Sequence, residues 1–254
     1  MKEIPYWWDT VPNPPVVSAF RRTPGALPSK VDVAIIGAGY TGLSAARHLA
    51  RTGASVVVLE REDVGWGASS RNGGQVLTGL KVDPATLVGR YGESAARRLF
   101  EASIKSIERL ETLIASEGID CGYRRSGHVH AACKPSHFEG LRKEQALLAR
   151  VYGHRVELVP RGEQRSELGS DAYHGLLVDE RSGALDPARY VRGLADAAVR
   201  AGATVATATP VEHVTPPGAG AKRWRVATPH GEIEATDVLM ATNGYTDAAL
   251  PALR

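Results

Sequence analysis

The chain has 254 residues, 43% hydrophobic and 23% charged, which suits one large domain or two small ones with a sizeable core and excludes a disordered chain. Its 31 Lys and Arg face 28 Asp and Glu, for a formal charge of +3, and the arginines are scattered along the sequence; that pattern argues against a nucleic-acid groove. No apolar run approaches the roughly 18 residues of a membrane span and the first 30 residues hold no signal-peptide core, so a cytoplasmic protein is the expectation.

Residues 1–30 carry Pro5, Pro12, Pro14, Pro15, Pro24 and Pro28 among Tyr6, Trp7, Trp8 and Phe20, the composition of an extended arm pinned by aromatic side chains. The next segment is the most informative. Val31 to Ile36 reads as a buried strand, Gly37-x-Gly39-Tyr40-Thr41-Gly42 as a glycine turn opening a helix, and Val56 to Leu59 as a second buried strand ending at Glu60. Ala45, Ala46, Leu49 and Ala50 give that helix a small apolar face, and Gly53 ends it. This unit binds the ADP half of a dinucleotide: Gly37 permits the turn, Gly39 lets backbone approach a pyrophosphate, and Gly42 lets helix pack on strand. The pyrophosphate meets free N–H groups at the helix start. Glu60, roughly 20 residues on, accepts from ribose hydroxyls and repels a 2′-phosphate.

Beyond it, residues 65–79 form a long glycine-rich polar loop of the kind that carries function. Asp83-Pro84 is an N-cap with a favoured first helical residue, and the spacing of Leu99, Ile104, Ile107, Leu110, Leu113 and Ile114 predicts a helix to Gly118. A mixed layer follows: a strand at 127–132, a helix at 136–152, and short strands at 156–159 and 176–178. Asp186-Pro187 opens another helix that runs to Gly202. Val205, Val211 and Val214, a turn at Pro216-Pro217-Gly218, and strands at 224–227 and 238–242 then resume a doubly wound sheet. Cys121 and Cys133 lack any metal-type spacing and read as two reduced thiols. His128 and His130 share one strand face as a structural or surface pair.

A second set of residues makes a resemblance specific. Gly65-Trp66-Gly67-Ala68-Ser69-Ser70-Arg71-Asn72-Gly73-Gly74-Gln75, together with Asp186-Pro187-x-x-Tyr190 and Ala241-Thr242-Asn243-Gly244-Tyr245, resembles the FAD-dependent oxidoreductases of the D-amino acid oxidase and glycine/sarcosine oxidase superfamily, the gamma-glutamylputrescine oxidoreductase type above all. The resemblance implies an α/β fold in which a Rossmann-type FAD-binding domain is interrupted by part of a mixed α+β substrate domain. Its boundaries are expected as an arm at 1–30, FAD-binding parts at 31–122 and 185–254, and the partial substrate domain at 123–184.

FAD outreaches NAD at its reactive end, and Gly73 and Gly74, lacking Cβ, let backbone pass close to a flat ring. Ser69 and Arg71 are read as pyrophosphate contacts, the arginine through charge-assisted bonds. By resemblance the adenine falls to backbone near Val211, and Ala241, Thr242 and Asn243 approach the cofactor from a strand end. The implied cofactor-binding set is Gly37, Gly39, Tyr40, Thr41, Gly42, Glu60, Arg61, Ala68, Ser69, Arg71, Asn72, Gly73, Gly74, Gln75, Val211, Ala241, Thr242 and Asn243. Arg61 is read either as reaching the adenosine ribose or as a solvated surface side chain. Trp66 is read as sealing the loop against the core rather than covering the cofactor.

The implied reaction is oxidation of a C–N bond of a small-molecule amine or amino acid, with hydride passing to flavin N5 and electrons going on to oxygen or another acceptor. No acid, base or nucleophile stands out, so no catalytic residue is named, and neither a metal nor a nucleic-acid partner is expected. The rival readings are a non-catalytic or truncated nucleotide-binding domain and an NAD-dependent dehydrogenase; the latter leaves Arg71 to Gln75 without a role. Superfamily members run beyond this length, so the chain is expected to match an amino-terminal portion and to fold poorly or bind FAD weakly alone.

Overall fold

The computed structural model describes residues 5–9, 11, 27–218, 220 and 222–246. In chain order the elements are α1 (Tyr6–Asp9), β1 (Lys30–Ile36), α2 (Tyr40–Arg51), β2 (Val56–Leu59), β3 (Gln75–Val76), α3 (Pro84–Glu117) and β4 (His128–Ala131). There follow α4 (Pro135–Leu147), β5 (Glu157–Pro160), β6 (Gly175–Asp179), β7 (Gly183–Ala184), α5 (Pro187–Arg200), β8 (Thr204–Ala206), β9 (His213–Thr215), β10 (Trp224–Thr228) and β11 (Gly231–Met240). Residues 5–9 of the expected arm form α1 and its lead-in, so this stretch is a helical turn rather than extended chain; residues 12–26 of that arm lie outside the described residues.

The chain divides into two compact units. The first comprises Met1–Gly73, Glu117–Cys121 and Asp186–Arg254. Among its described residues one sheet runs in the order β8-β2-β1-β11-β10-β9, with β8, β2, β1 and β11 parallel and β10 and β9 antiparallel. Apolar residues of β1 and β2 are buried throughout Ala34–Ile36 and Val56–Leu59, and Val31, Ala34, Val57, Leu59, Val226 and Ile233 join one core cluster. That continuous burial is the mark of parallel strands covered on both faces.

Helix α2 turns Leu43 and Ala46 into the core, and α5 is amphipathic, burying Val191, Leu194, Ala195 and Ala198. The N-cap of α5 is as the sequence suggests: the Asp186 carboxylate accepts from the backbone N–H of Ala188 at 2.9 Å and Arg189 at 3.0 Å, and Pro187 takes the first turn. Arg47, only 4% exposed, donates through Nε to Glu117 at 2.7 Å, and Arg200 adds a bond at 3.1 Å. Burial opposes ionisation of Glu117, but the hydrogen bonds from Arg47 and Arg200 outweigh it and hold the carboxyl below its ordinary range. A buried arginine therefore has its charge answered.

The second unit comprises Gly74–Ser116 and Gly122–Leu185. It holds an antiparallel sheet β4-β6-β5 and the small pair β3-β7. Helix α3 is kinked at Gly92, whose φ of 75° interrupts the helical backbone. Leu87, Ala96 and Phe100 of α3 pack with Leu148, Val151 and Tyr152, which places α3 in this unit and not with the residues before 74, where a division at 122 had set it. The spacing of its apolar residues shows a buried face but not which sheet that face serves.

Two other elements differ from expectation. The helix expected over 136–152 is α-helical only to Leu147, then passes into a π-helical turn, Leu148–Tyr152, that stops at Gly153 with φ 64°. The strand expected at 238–242 begins at Gly231 and ends at Met240. Its first half alternates, with Ile233 and Ala235 buried and Glu232 and Glu234 exposed, so a search for continuous apolar residues finds only its end.

Candidate functional site

The site lies wholly within the first unit. Register pairs Ile36 with Leu59 on one side and with Met240 on the other, so the carboxyl ends of β2, β1 and β11 finish level. In an open parallel sheet the ligand crevice forms outside such ends, where the connections diverge. Ile36, Leu59 and Met240 line a cleft of about 320 Å³ there, within the usual range for small-molecule sites.

Glycine backbone shapes its wall. Gly37 adopts φ 107°, and a Cβ on it would stand 2.7 Å from the carbonyl oxygen of Ala241, so the turn after β1 and the chain leaving β11 touch through bare backbone. A Cβ on Gly39 would stand 2.9 Å from Ser69 Oγ. Gly42 does not line the cleft; a Cβ there would fall 2.0 Å from the Gly37 carbonyl oxygen, so this residue is what lets α2 close onto β1. Helix α2 starts at the cleft with Gly39 as an N-cap that offers no side chain. Its first-turn N–H groups have no carbonyl within the helix to bond and carry the positive end of the helix dipole. Ser69 Oγ accepts from the Tyr40 N–H at 3.1 Å and so stands at that helix end.

Glu60 follows β2 and lines the cleft beside the glycine turn. Its Oε2 accepts from the Ala38 N–H at 2.8 Å and its Oε1 from the Glu62 N–H at 3.0 Å. Each carboxylate oxygen keeps a further lone pair, so the group is oriented yet able to accept again. Arg61 lines the cleft too, with Nε 3.5 Å from Glu62. Thr209 donates its N–H to the Glu60 carbonyl at 2.8 Å, which brings the following Pro210 and Val211 to the same rim. Thr41, Ala68, Asn72, Ala241, Thr242 and Asn243 complete the predicted residues that line it.

Five predicted residues are placed otherwise. Gly42 packs as described. Arg71 turns onto Trp66: Nε donates to the Trp66 carbonyl at 2.7 Å, and the guanidinium lies 4.6 Å from the indole centre. Gly73 is not among the lining residues. Gly74 and Gln75 belong to the second unit, where the Gly74 carbonyl accepts from Leu185 N–H at 2.9 Å and Gln75 pairs with Ala184.

Trp66 both packs and lines the cleft, with its ring 6.2 Å from that of Tyr245 and nearly perpendicular to it. Tyr245, Gly65, Gly67 and Pro210 are lining residues that the motif reading missed as cofactor contacts. The signal available for Tyr245 was its place four residues after Ala241 in the quoted strand-end segment. Tyr40, by contrast, is a wall residue with a structural hydroxyl: it donates to the Pro187 carbonyl at 3.2 Å. Burial is the main cause that pushes its pKa to about 12, so it stays neutral at any physiological pH.

The arrangement suits a nucleoside diphosphate: anion-binding amides at one point, a hydroxyl-accepting carboxylate at another, and apolar strand ends between. Among the described residues no group of His, Cys, Asp and Glu is placed to hold a metal ion, and no helix is long and apolar enough to cross a membrane.

Comparison with known proteins agrees with this geometry. The family model for FAD dependent oxidoreductases of the D-amino acid oxidase type matches residues 32–254. The chain is 35% identical over 217 residues to gamma-glutamylputrescine oxidoreductase of Escherichia coli, covering 84% of this chain and 49% of that protein. It is 33% identical over 217 residues to the probable oxidoreductase OrdL of Haemophilus influenzae, covering 85% and 49%. It thus spans about half the length of the curated relatives it matches. Among solved structures, L-amino acid deaminase from Proteus vulgaris superposes with a TM-score of 0.68 at 25% identity, covering 86% of this chain and 49% of that one. Glycine oxidase from Geobacillus kaustophilus gives 0.72 at 24% identity, covering 89% and 58%, and shares the fold.

Proposed function

Because this chain belongs to the family of FAD-dependent oxidoreductases, we propose that it provides the cofactor-binding part of an enzyme that oxidises a C–N bond of an amine or amino acid. The observation that supports this most is the meeting of the Gly37-Gly39 turn, the start of α2 and the Glu60 carboxylate at the level ends of β1, β2 and β11. In this reading the first unit is the FAD-binding domain. The α2 amides and Ser69 hold the diphosphate, Glu60 accepts from ribose hydroxyls, and the backbone beside Val211 meets the adenine. Thr242 and Asn243 approach from the end of β11.

Flavin, when bound, supplies the two-electron acceptor. The residues of this chain bind and orient it and keep a 2′-phosphate out by the charge of Glu60. The relative named gamma-glutamylputrescine oxidoreductase makes a gamma-glutamylated diamine the first substrate to try, with sarcosine and glycine beside it. The test is a titration with FAD followed by flavin fluorescence, then anaerobic addition of each amine while the flavin absorbance is watched. Saturable FAD binding, weak for this stretch alone, is expected, and bleaching by one of the amines would add turnover to it. Binding without bleaching by any of them would leave a nucleotide-binding domain that turns none of them over, and absence of FAD binding would overturn the reading altogether.

A further inference from the structure

The stretch 65–72 supplies Gly65, Trp66, Gly67, Ala68, Ser69 and Asn72 to the cleft; it turns as a 3₁₀ helix over Ala68–Ser70, and Arg71 donates to the Ala68 carbonyl through its N–H at 3.2 Å and to the Trp66 carbonyl through Nε at 2.7 Å. Gly65 N–H donates to the Ala38 carbonyl at 3.0 Å, and Asn72 Nδ2 donates back to the carbonyls of Ala68 and Ser69 at 3.0 and 3.2 Å. These local bonds close the turn on itself, and a further tie holds it to the rest of the unit.

Two tryptophans more than sixty residues upstream provide it. Trp8 Nε1 donates to Ser70 Oγ at 2.7 Å, and Ser70, 1% exposed, donates in turn to the Gly65 carbonyl at 2.6 Å. Trp7 Nε1 donates to the Asn72 carbonyl at 2.7 Å. An indole offers a donor only, so each bond has one direction and one partner type. The loop is therefore held behind its middle and at its end, while the adjacent Ser69 turns the other way, to the Tyr40 N–H at the start of α2. α1, which carries both indoles, lies against α5 of the same unit.

Resting on the cofactor-binding reading above, we propose that Trp7 and Trp8 are positioning residues: they fix the 65–72 loop so that Ser69 and Asn72 stand where a bound dinucleotide needs them. Neither indole lines the cleft, and their effect passes through Ser70 and Asn72.

Hydrogen exchange of the backbone amides of 65–72, read against those of β1 as an internal reference for folding, tests this in the cofactor-free chain. Trp8→Phe keeps an aromatic ring and removes the donor; about fivefold faster exchange in 65–72 with β1 unchanged is expected from the loss of one such bond. The FAD dissociation constant of the same variant should rise about three- to tenfold. Ser70→Ala in the Trp8→Phe background should add less than it does alone, because both break one chain of bonds. Tyr6→Phe, at an exposed ring, should change neither readout. Should Trp8→Phe unfold β1 as well, Trp7→Phe carries the same test at Asn72. Unchanged exchange would overturn the proposal, as would faster exchange with unaltered FAD affinity. Failure of the unsubstituted chain to bind FAD would overturn the cofactor reading and its positioning consequence, while exchange would still decide whether the indoles hold the loop.

Discussion

The two units use polar groups in opposite ways. In the first, the α2 end opens into a cleft, the Glu60 carboxylate is oriented by Ala38 and Glu62 N–H groups but not saturated, and glycines strip the wall to backbone. In the second, the conspicuous charges are closed on one another. Glu111 accepts from Tyr123 at 2.6 Å, from Arg125 at 3.0 Å and from Arg181 at 3.0 Å. Asp179 accepts from Thr78, from Ser182 at 3.2 Å and from the Arg181 N–H at 3.0 Å. His154 Nε2 stands 3.2 Å from the same Asp179, within ion-pair range but off the line of a hydrogen bond. A saturated cluster holds a fold, whereas an oriented and unsaturated one is prepared for a ligand. The strongly lowered carboxylates, Glu111 and Asp179, both belong to the second unit.

The sharpest way to break the contrast is Gly42→Ala. Its Cβ would sit 2.0 Å from a backbone oxygen that cannot swing aside, so α2 must lift from β1. A loss of about 3 kcal/mol or more is expected, seen as a lower midpoint in urea unfolding followed by circular dichroism, with FAD binding abolished. Next comes Glu111→Gln, which leaves Arg125 and Arg181 without a counter-charge. The bonds are charge-assisted but Arg125 is half-exposed, so about 1–3 kcal/mol is expected, with little change in FAD affinity. A large change in affinity would contradict the division of roles.

Acid exposes the same clusters. Burial raises the pKa of both carboxyls, but hydrogen bonds outweigh it. Those from Tyr123, Arg181 and Arg125 bring Glu111 to about 2, and the His154 ring beside it together with the hydrogen bonds from Thr78 and the Arg181 N–H brings Asp179 to about 2. Both folded values lie below the ordinary 4.5 and 3.8. Their stabilisation is therefore complete above about pH 4.5 and is lost as pH falls toward about 2. Urea midpoints measured across that window should fall steeply in the unsubstituted chain and less so in Asp179→Asn, which begins lower.

How much of this was legible in the sequence differs element by element. The strand Val31 to Ile36, the glycines and Glu60 were readable because each has a local reason: continuous burial, backbone approach, a carboxylate at a strand end. The N-cap Asp186 was readable for the same kind of reason. Arg71 was not, because its charge suggests an anion while its guanidinium is taken by the neighbouring indole and carbonyl of Trp66, a choice that depends on loop conformation. The Trp8 to Ser70 bond spans 62 positions, and nothing in either residue names the other. The place of β11 between β1 and β10 is a topological fact of the same long-range kind.

Glu60→Gln sharpens the contrast at the ligand side. The amide retains one acceptor but brings an NH₂ donor to a site that faces two N–H groups. The turn is thus weakened and one ribose acceptor is lost together. About tenfold weaker FAD binding is expected, near 1.4 kcal/mol, by fluorescence titration. An unchanged affinity would remove Glu60 from the ribose.

The smallest effect carries the opposite sign. Gly140 sits inside α4 of the second unit, and a Cβ there would meet nothing within 4 Å. No cleft, turn or close approach uses its bareness, so its only consequence is the backbone entropy that a helical glycine loses on folding. Gly140→Ala should raise stability by about 0.5–1 kcal/mol and leave FAD affinity alone. Set beside Gly42→Ala, the same chemical change then reads the packing of two glycines directly: loss where a carbonyl oxygen occupies the space of the missing methyl, gain where solvent does. A destabilised Gly140→Ala would mean that α4 is packed more closely at that position than its open surroundings indicate.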